Sequence, residues 1–484
     1  MRSLPGRIRQ MTKATKIILF ALAGVAGFYI LVAAALYFFV DANSYKPRLE
    51  AAASAALKMQ VSVGRLGIGF FPDLFVRLED VQVRNRGAEV ASAKTARLGI
   101  SLIALFQNQI QIEKIALKGP TISIERGRGG NFNFETAGDA DGTLSALNVA
   151  KVTFSNGTIH FSDAQSGQVF EAGNCSMDMR HLQHPGGTSA DLMRSLSFTA
   201  QLACAGIRTK DFTVSDLKIV AKAKNGVFDL DSDTIKTFGA QSAGGIQADF
   251  TGAVPHFLVR YTLPQFQIEE FFQTLSPEKV AAGSMDFSAT LSMQGKTMNE
   301  IRQSAEGQIS LRGKNLTLNS RDIDQELSRI ESSQNFNLVD VAAFFIAGPL
   351  GLVVTKGYNF GSIFQDSGGH SDIRKLVSLW KVEHGVAQAQ DVALATNENR
   401  IAVQGGLDFV HEKFNDVTVA VIDDKGCITV QQQIHGTFQK PIVEKPGILK
   451  GLSGPMISLY DKARSYFPGG ECEVFYTGSV SPPK

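Results

Sequence analysis

The chain has 484 residues, and 48 Lys and Arg against 46 Asp and Glu leave a formal net charge of +2. Charged residues make up only 19%, which argues against nucleic acid as a partner, since that needs a concentrated basic face interleaved with aromatics. Forty-six Gly and 33 Phe against a single Trp suit many short turns joined by apolar strands, and the length allows a sizeable core.

Residues 17–40, IILFALAGVAGFYILVAAALYFFV, carry no charge from Ile17 to Val40. At about 1.5 Å of rise per residue such a helix reaches roughly 36 Å, enough to span a hydrocarbon core about 30 Å thick with some tilt. Arg2, Arg7, Arg9, Lys13 and Lys16 precede it without a single acid. The positive-inside rule therefore predicts residues 1–16 as a cytoplasmic basic flank, residues 17–40 as a transmembrane helix, and the rest across the membrane. A cleaved signal peptide shares the basic flank, but its apolar region is usually about 7–15 residues, so the longer run reads as a single-pass anchor.

Residues 44–59, SYKPRLEAAASAALKM, are rich in helix formers with Pro47 in the first turn, which predicts a membrane-proximal helix within 41–60. The period then changes to two. Val61 and Val63, then Leu66, Ile68 and Phe70, alternate with polar or small residues. Leu74, Val76 and Leu78 share one face before the phase shifts to Val81 and Val83. Leu98, Ile100 and Leu102 follow, then Ile110 and Ile112, and beyond Gly119-Pro120 come Ile122 and Ile124. Such alternation predicts half-buried antiparallel strands, and the lack of long helices between them excludes a doubly wound parallel sheet. Ser155-Asn156-Gly157, between Val152/Phe154 and Ile159/Phe161, reads as a hairpin turn.

Further strand signals occur at Phe212/Val214, Leu217/Ile219 and residues 227–230, with short helices expected within 268–275, 298–305 and 322–332. Residues 341–354 are strongly apolar but broken by Gly348-Pro349 and too short to span. They read as a buried helical hairpin, with a segment that dips into a membrane as the alternative. The run IRKLVSLWK from Ile373 reads as a helix, after which strands resume through Val417, Val419 and Val421.

Four cysteines in an exported chain point to disulfides, with three pairings possible. Cys175 and Cys204 flank the loop 184–191 symmetrically, so a simple hairpin would oppose them at a Cα separation of about 4.5–5.5 Å, within bonding range. Cys427 and Cys472 bracket a stretch punctuated by Pro and Gly, and a bond between them would pin residues 473–477. Catalytic patterns are missing. The eight histidines are scattered, and His181 and His184 lack the spacing of a zincin helix. There is no nucleophile elbow, no phosphate loop and no C-x-x-C. The expectation is a protein that is not an enzyme, with no cofactor and no metal.

The order of features resembles the AsmA family of inner-membrane-anchored periplasmic proteins. The resemblance is carried by the anchor and short helix, by GRLGIGFFPDL (64–74), LEDVQV (78–83) and IALKGPTISIERGRGGNFNF (115–134). It continues in residues 268–318, in HGVAQAQDVALATNENRIAVQGGLDF (384–409) and in IHGTFQKP (434–441). It implies an N-terminal β region over 61–267 and a C-terminal β region with short helices over 268–484. The implied fold is mainly β: the transmembrane helix followed by a long, curved antiparallel sheet, groove-like or taco-like, as in TamB and other bridge-like lipid-transfer proteins. The implied activity is passage of phospholipid along an apolar groove toward the outer membrane, lined by Leu98, Ile100, Leu102, Ile122, Ile124, Val417, Val419 and Val421. The implied location is the bacterial inner membrane with the body in the periplasm and an outer-membrane or periplasmic partner at the far end. The alternative is a non-catalytic structural or assembly factor with an ordinary closed core, because strand alternation is the same in both.

Overall fold

The computed structural model describes residues 42–69, 74–101, 111–134, 143–144, 146–164, 167–188, 192–209, 213–273, 281–319, 322–328, 338, 369–445, 447–448 and 472–483. The expected anchor at 17–40, Leu102 and the apolar run 341–354 lie outside the described residues. Among the described residues no helix is long and apolar enough to cross a membrane. The chain is mainly β with a few short helices and divides into two compact units.

The first unit comprises Met1–Asp139 and Asn148–Gly167. A 3-10 turn, Ala42–Tyr45, leads into helix α1 (Lys46–Leu57), which has proline in its first turn as expected. Strands β1 (Gln60–Ser62) and β2 (Arg65–Gly69) both pair with β3 (Phe75–Asn85), which pairs with β4 (Ala88–Ile100), which pairs with β5 (Ile112–Arg126). All of these pairings are antiparallel. The short β6 (Thr143–Leu144) belongs to the second unit, and β7 (Leu147–Asp163) returns to the first. Here the all-antiparallel expectation needs correction. β7 runs parallel to β5, from Lys114 opposite Lys151 to Arg126 opposite Asp163. A parallel neighbour requires the chain to travel back along the strand between β5 and β7.

Ser155-Asn156-Gly157 is likewise not a hairpin turn: it lies inside the continuous strand β7. Asn156 has φ +53°, as do Asp80 in β3 at +53° and Gly119 in β5 at +58°. Asn, Asp and Gly are the residues that tolerate this region. The register aligns these positions across the sheet, through Lys94 in β4, into one transverse crease. Along the chain, buried or half-buried residues three apart flank it: Val63/Leu66, Leu78/Val81, Ala93/Ala96 and Phe154/Gly157. A Cβ on Gly157 would meet the Phe154 ring at 3.0 Å and Pro120 at 3.2 Å, so the crease is closely packed.

The second unit comprises Ala140–Leu147 and Gln168–Lys484. It opens with β8 (Gln168–His184), β9 (Gly187–Thr188, paired with β6), α2 (Leu192–Ser195) and β10 (Ser197–Thr209). β11 (Thr213–Lys224), β12 (Val227–Thr237), β13 (Ala240–Asp249) and β14 (His256–Gln267) follow, then α3 (Ile268–Phe272), β15 (Ala281–Ala282) and β16 (Ser284–Gln294). Next come α4 (Met298–Gln303), β17 (Glu306–Leu318), α5 (Ile323–Ser328), β18 (Ser371–Glu383), β19 (Val386–Ala395), β20 (Arg400–Asp408), β21 (Lys413–Ile422) and β22 (Ile428–Thr437). β23 (Lys440–Val443) and β24 (Gly447–Ile448) both pair with β22. From β8 to β22 the long strands form an antiparallel meander.

The helix expected from Ile373 is therefore strand β18. Its run reads as helical because Leu376, Trp380 and Val382 are buried on one face while Val377 is buried on the other. A strand covered on both sides loses its alternation. The first face belongs to the main core, which gathers side chains from β14 to β22 around Phe271, Trp380, Leu394 and Leu407. The second is covered by the tail, 472–483, through Tyr476 and Val480. Arg400 holds that tail by donating to the Val480 carbonyl at 3.1 Å, with its guanidinium 5.7 Å from the Tyr476 ring centre. The Tyr476 hydroxyl donates to Asp391 Oδ1 at 2.5 Å, and burial together with that bond pushes the phenol pKa up.

Candidate functional site

In a sheet, paired residues point to the same side, so register turns single-strand alternation into rows. In the first unit one row is Ile68, Val76, Leu98, Ile115 and Val152. Across the crease another is Val61, Val83, Ala91, Ile122 and Ile159. Ile124 pairs with Phe161 beyond it. One side of the unit is thus apolar from strand to strand.

That side is only partly covered. Helix α1 closes one margin, where Leu49 packs with Val63, Leu66, Leu78 and Ala96. Elsewhere Leu98, Ile100, Ile115, Val152, Ile122, Ile124, Ile159 and Phe161 stay half-buried. Four of the expected groove residues, Leu98, Ile100, Ile122 and Ile124, therefore lie on a half-open apolar face, and Leu102 lies outside the described residues.

The second unit carries an equivalent face. A single row runs Met179, Ala200, Ala221, Leu230, Ile246, Val259, Leu291, Gly307, Val382, Ala387, Leu407 and Phe414. Its cover changes along the way. Leu230 and Val259 are half-buried and Ile246 is 45% exposed, whereas Val382, Ala387 and Leu407 are at most 4% exposed inside the main core. Val417 and Val419 are at 0% and Val421 at 8%, packed in that same core among protein side chains. The open stretch of this face runs through Leu230, Ile246 and Val259. Ile246 stands alone in the Gly-rich strand β13, where no alternation marks it in the sequence.

Both expected disulfides are present. Cys175 and Cys204 are direct cross-strand partners with Cα atoms 4.0 Å apart. They sit beside a second crease, where Asn174 at φ +51° and Asp216 at φ +52° flank Ala205. Cys427 and Cys472 are joined with Cα atoms 6.0 Å apart and tie down the start of the tail.

The stretch GGNFNF does structural work. The Asn133 side chain donates to the Ser123 carbonyl at 2.8 Å and accepts from Glu125 N–H at 3.1 Å, filling the edge of β5 that β4 leaves free. Arg126 donates to the Gly130 carbonyl at 3.2 Å and lies 5.9 Å from the Phe132 ring centre. This is turn chemistry. Among the described residues no group of three or more His, Cys, Asp or Glu side chains is arranged to hold a metal ion.

The two units share one feature, a β-sheet with a registered apolar face, antiparallel throughout in the long strands of the second unit and closed by the parallel β5–β7 pair in the first, which defines a β-sheet scaffold for apolar contact. Residues 11–204 match the family model of the AsmA family, and over those residues the chain is similar to that family. No curated protein and no solved structure matches the chain.

Proposed function

We propose that the protein is held in the bacterial inner membrane by residues 17–40, with its N-terminus in the cytoplasm and its body in the periplasm, and passes phospholipid along its apolar sheet faces toward the outer membrane. The observation that carries this reading is the half-open apolar row, Leu98–Ile115–Val152 in one unit and Leu230–Ile246–Val259 in the other. Each acyl CH₂ in water costs about 0.8 kcal/mol, so a 16-carbon chain costs on the order of 12 kcal/mol. An apolar strip on each unit lowers that barrier with no chemical step: tails slide on Leu, Ile, Val and Phe while headgroups stay in water. Two disulfides suit an oxidising compartment. The match of residues 11–204 to the AsmA family supports the same reading at the level of the family.

The closed core around Val417 and Val419 favours, for the C-terminal strands, the alternative of a non-catalytic structural or assembly factor with an ordinary closed β core. One pair of substitutions tests the lipid reading. Ile124→Arg, on a half-open face, is expected to keep normal abundance while outer-membrane integrity falls. Val419→Arg, in a closed core, is expected to cost several kcal/mol and lower abundance. An Ile124→Arg chain that is abundant and supports a fully intact outer membrane would overturn the proposal.

A further inference from the structure

The polar side of the first unit is sorted by charge along its strands. On one side of the crease, three successive rows carry Arg65, Arg77, Arg97, Lys114, Lys118 and Lys151 against one carboxylate, Glu79. Five of these cations are exposed and Lys151 is half-buried. Arg77 meets Glu79 at 3.0 Å, and Arg97 lies 5.3 Å from the Phe75 ring centre. The register also sets like charges side by side, Arg77 opposite Arg97 and Lys114 opposite Lys151. Such pairs weaken a sheet. Across the crease the same side continues with the uncharged row Ser62, Gln82, Ser92, Thr121 and Thr158, and beyond it Arg84 is paired with Glu89, so the two signs balance there. A face that served only solubility would not need this sorting.

Helix α1 shows which end is basic. Ser54 Oγ accepts from Val61 N–H at 2.9 Å, Glu50 Oε1 from Val63 N–H at 2.7 Å, and Asn43 Oδ1 from Leu66 N–H at 3.0 Å. The helix therefore runs antiparallel to β1 and β2 and covers their free edge. Its beginning is level with Leu66, so the chain arriving from residues 17–40 joins the sheet at the basic end.

We propose that this basic face docks on the anionic headgroup surface of the membrane that holds residues 17–40. The inference rests on the anchor in the functional reading above and adds the chemistry of the contact. Lys and Arg near an anionic bilayer are attracted within a Debye length.

The full chain, reconstituted in phosphatidylcholine nanodiscs with and without phosphatidylglycerol, tests this. A fluorophore at Thr153→Cys, on the basic face, is read against one at Thr158→Cys beyond the crease, with a quencher on the lipid headgroups. Quenching is expected at Thr153→Cys alone, and only with phosphatidylglycerol. The docked-to-free ratio is expected to fall about fivefold for each of Arg77→Gln and Lys114→Gln. It should also collapse as salt rises from about 0.01 M to 1 M, where the Debye length drops from about 30 Å to 3 Å. The salt series needs no charge variant, so misfolding of one does not blur it. Equal quenching in neutral nanodiscs, indifference to salt, or no quenching in an incorporated chain would overturn the docking and leave lipid passage standing. A chain that nanodiscs do not retain would overturn the anchor and the docking together.

Discussion

Asp408 shows how much structure one carboxylate holds here. It is 6% exposed at the turn after β20, and accepts from Val410 N–H at 3.0 Å, His411 N–H at 2.9 Å and His411 Nδ1 at 2.8 Å. Burial disfavours the charged form, but the bonds from His411 and Val410 outweigh it and hold the pKa below the usual carboxylate range. A depressed folded pKa means stability that is present above the unfolded value of about 3.9 and lost as pH falls through the folded value. The Tm gap between the wild-type chain and Asp408→Asn is therefore expected to be full above about pH 5 and to narrow progressively as pH falls below the unfolded value of about 3.9. A gap that stays constant across that range would contradict the assignment.

At the scale of elements, the creases organise the sheets. Each strand of the first unit changes phase at the same transverse line, and the residues there are Asp80, Gly119 and Asn156 at positive φ. Asp80→Val or Asn156→Val is expected to cost about 1–2 kcal/mol, because a branched side chain resists this conformation. Asn156→Gly should be close to neutral, and thermal unfolding of the full chain in detergent reads the difference. If Val and Gly were tolerated alike, the left-handed geometry would be refuted.

Part of this was legible beforehand. The shift from Leu78 to Val81 is visible in the text of β3. At Asn156-Gly157 the same shift looks like a hairpin, because the dipeptide favours tight turns and only the neighbouring strand β5 decides between bend and reversal. The parallel pairing of β7 was illegible for a related reason: it depends on the path of residues 127–146, and alternation carries no direction. In β18 the apolar text misled because the tail and the main core bury opposite faces. The cysteine pairing was legible, since symmetric placement about a loop is a property of spacing alone.

For the whole molecule, what matters is what covers an apolar face. Ile122/Ile124 and Val417/Val419 read identically as sequence, since alternation reports that one side is apolar and says nothing of what lies against it. The structure separates them: the first pair is half-open, and the second is sealed by Leu407, Phe438 and their neighbours. Cover comes from elements outside the strand itself, such as the neighbouring helix α1 over β1–β3 and the tail, distant in sequence, over β18–β22. The functional reading therefore rests on the first unit and on β11–β14. The most direct measurement is photo-crosslinking in living cells, with a photoreactive amino acid at Ile124, Ile246, Ser123 or Val419. Phospholipid is expected on the chain from Ile124 and Ile246, with none from Ser123 on the opposite side or from Val419 in the closed core. Capture at none of the four positions, or equally at all of them, would contradict the account.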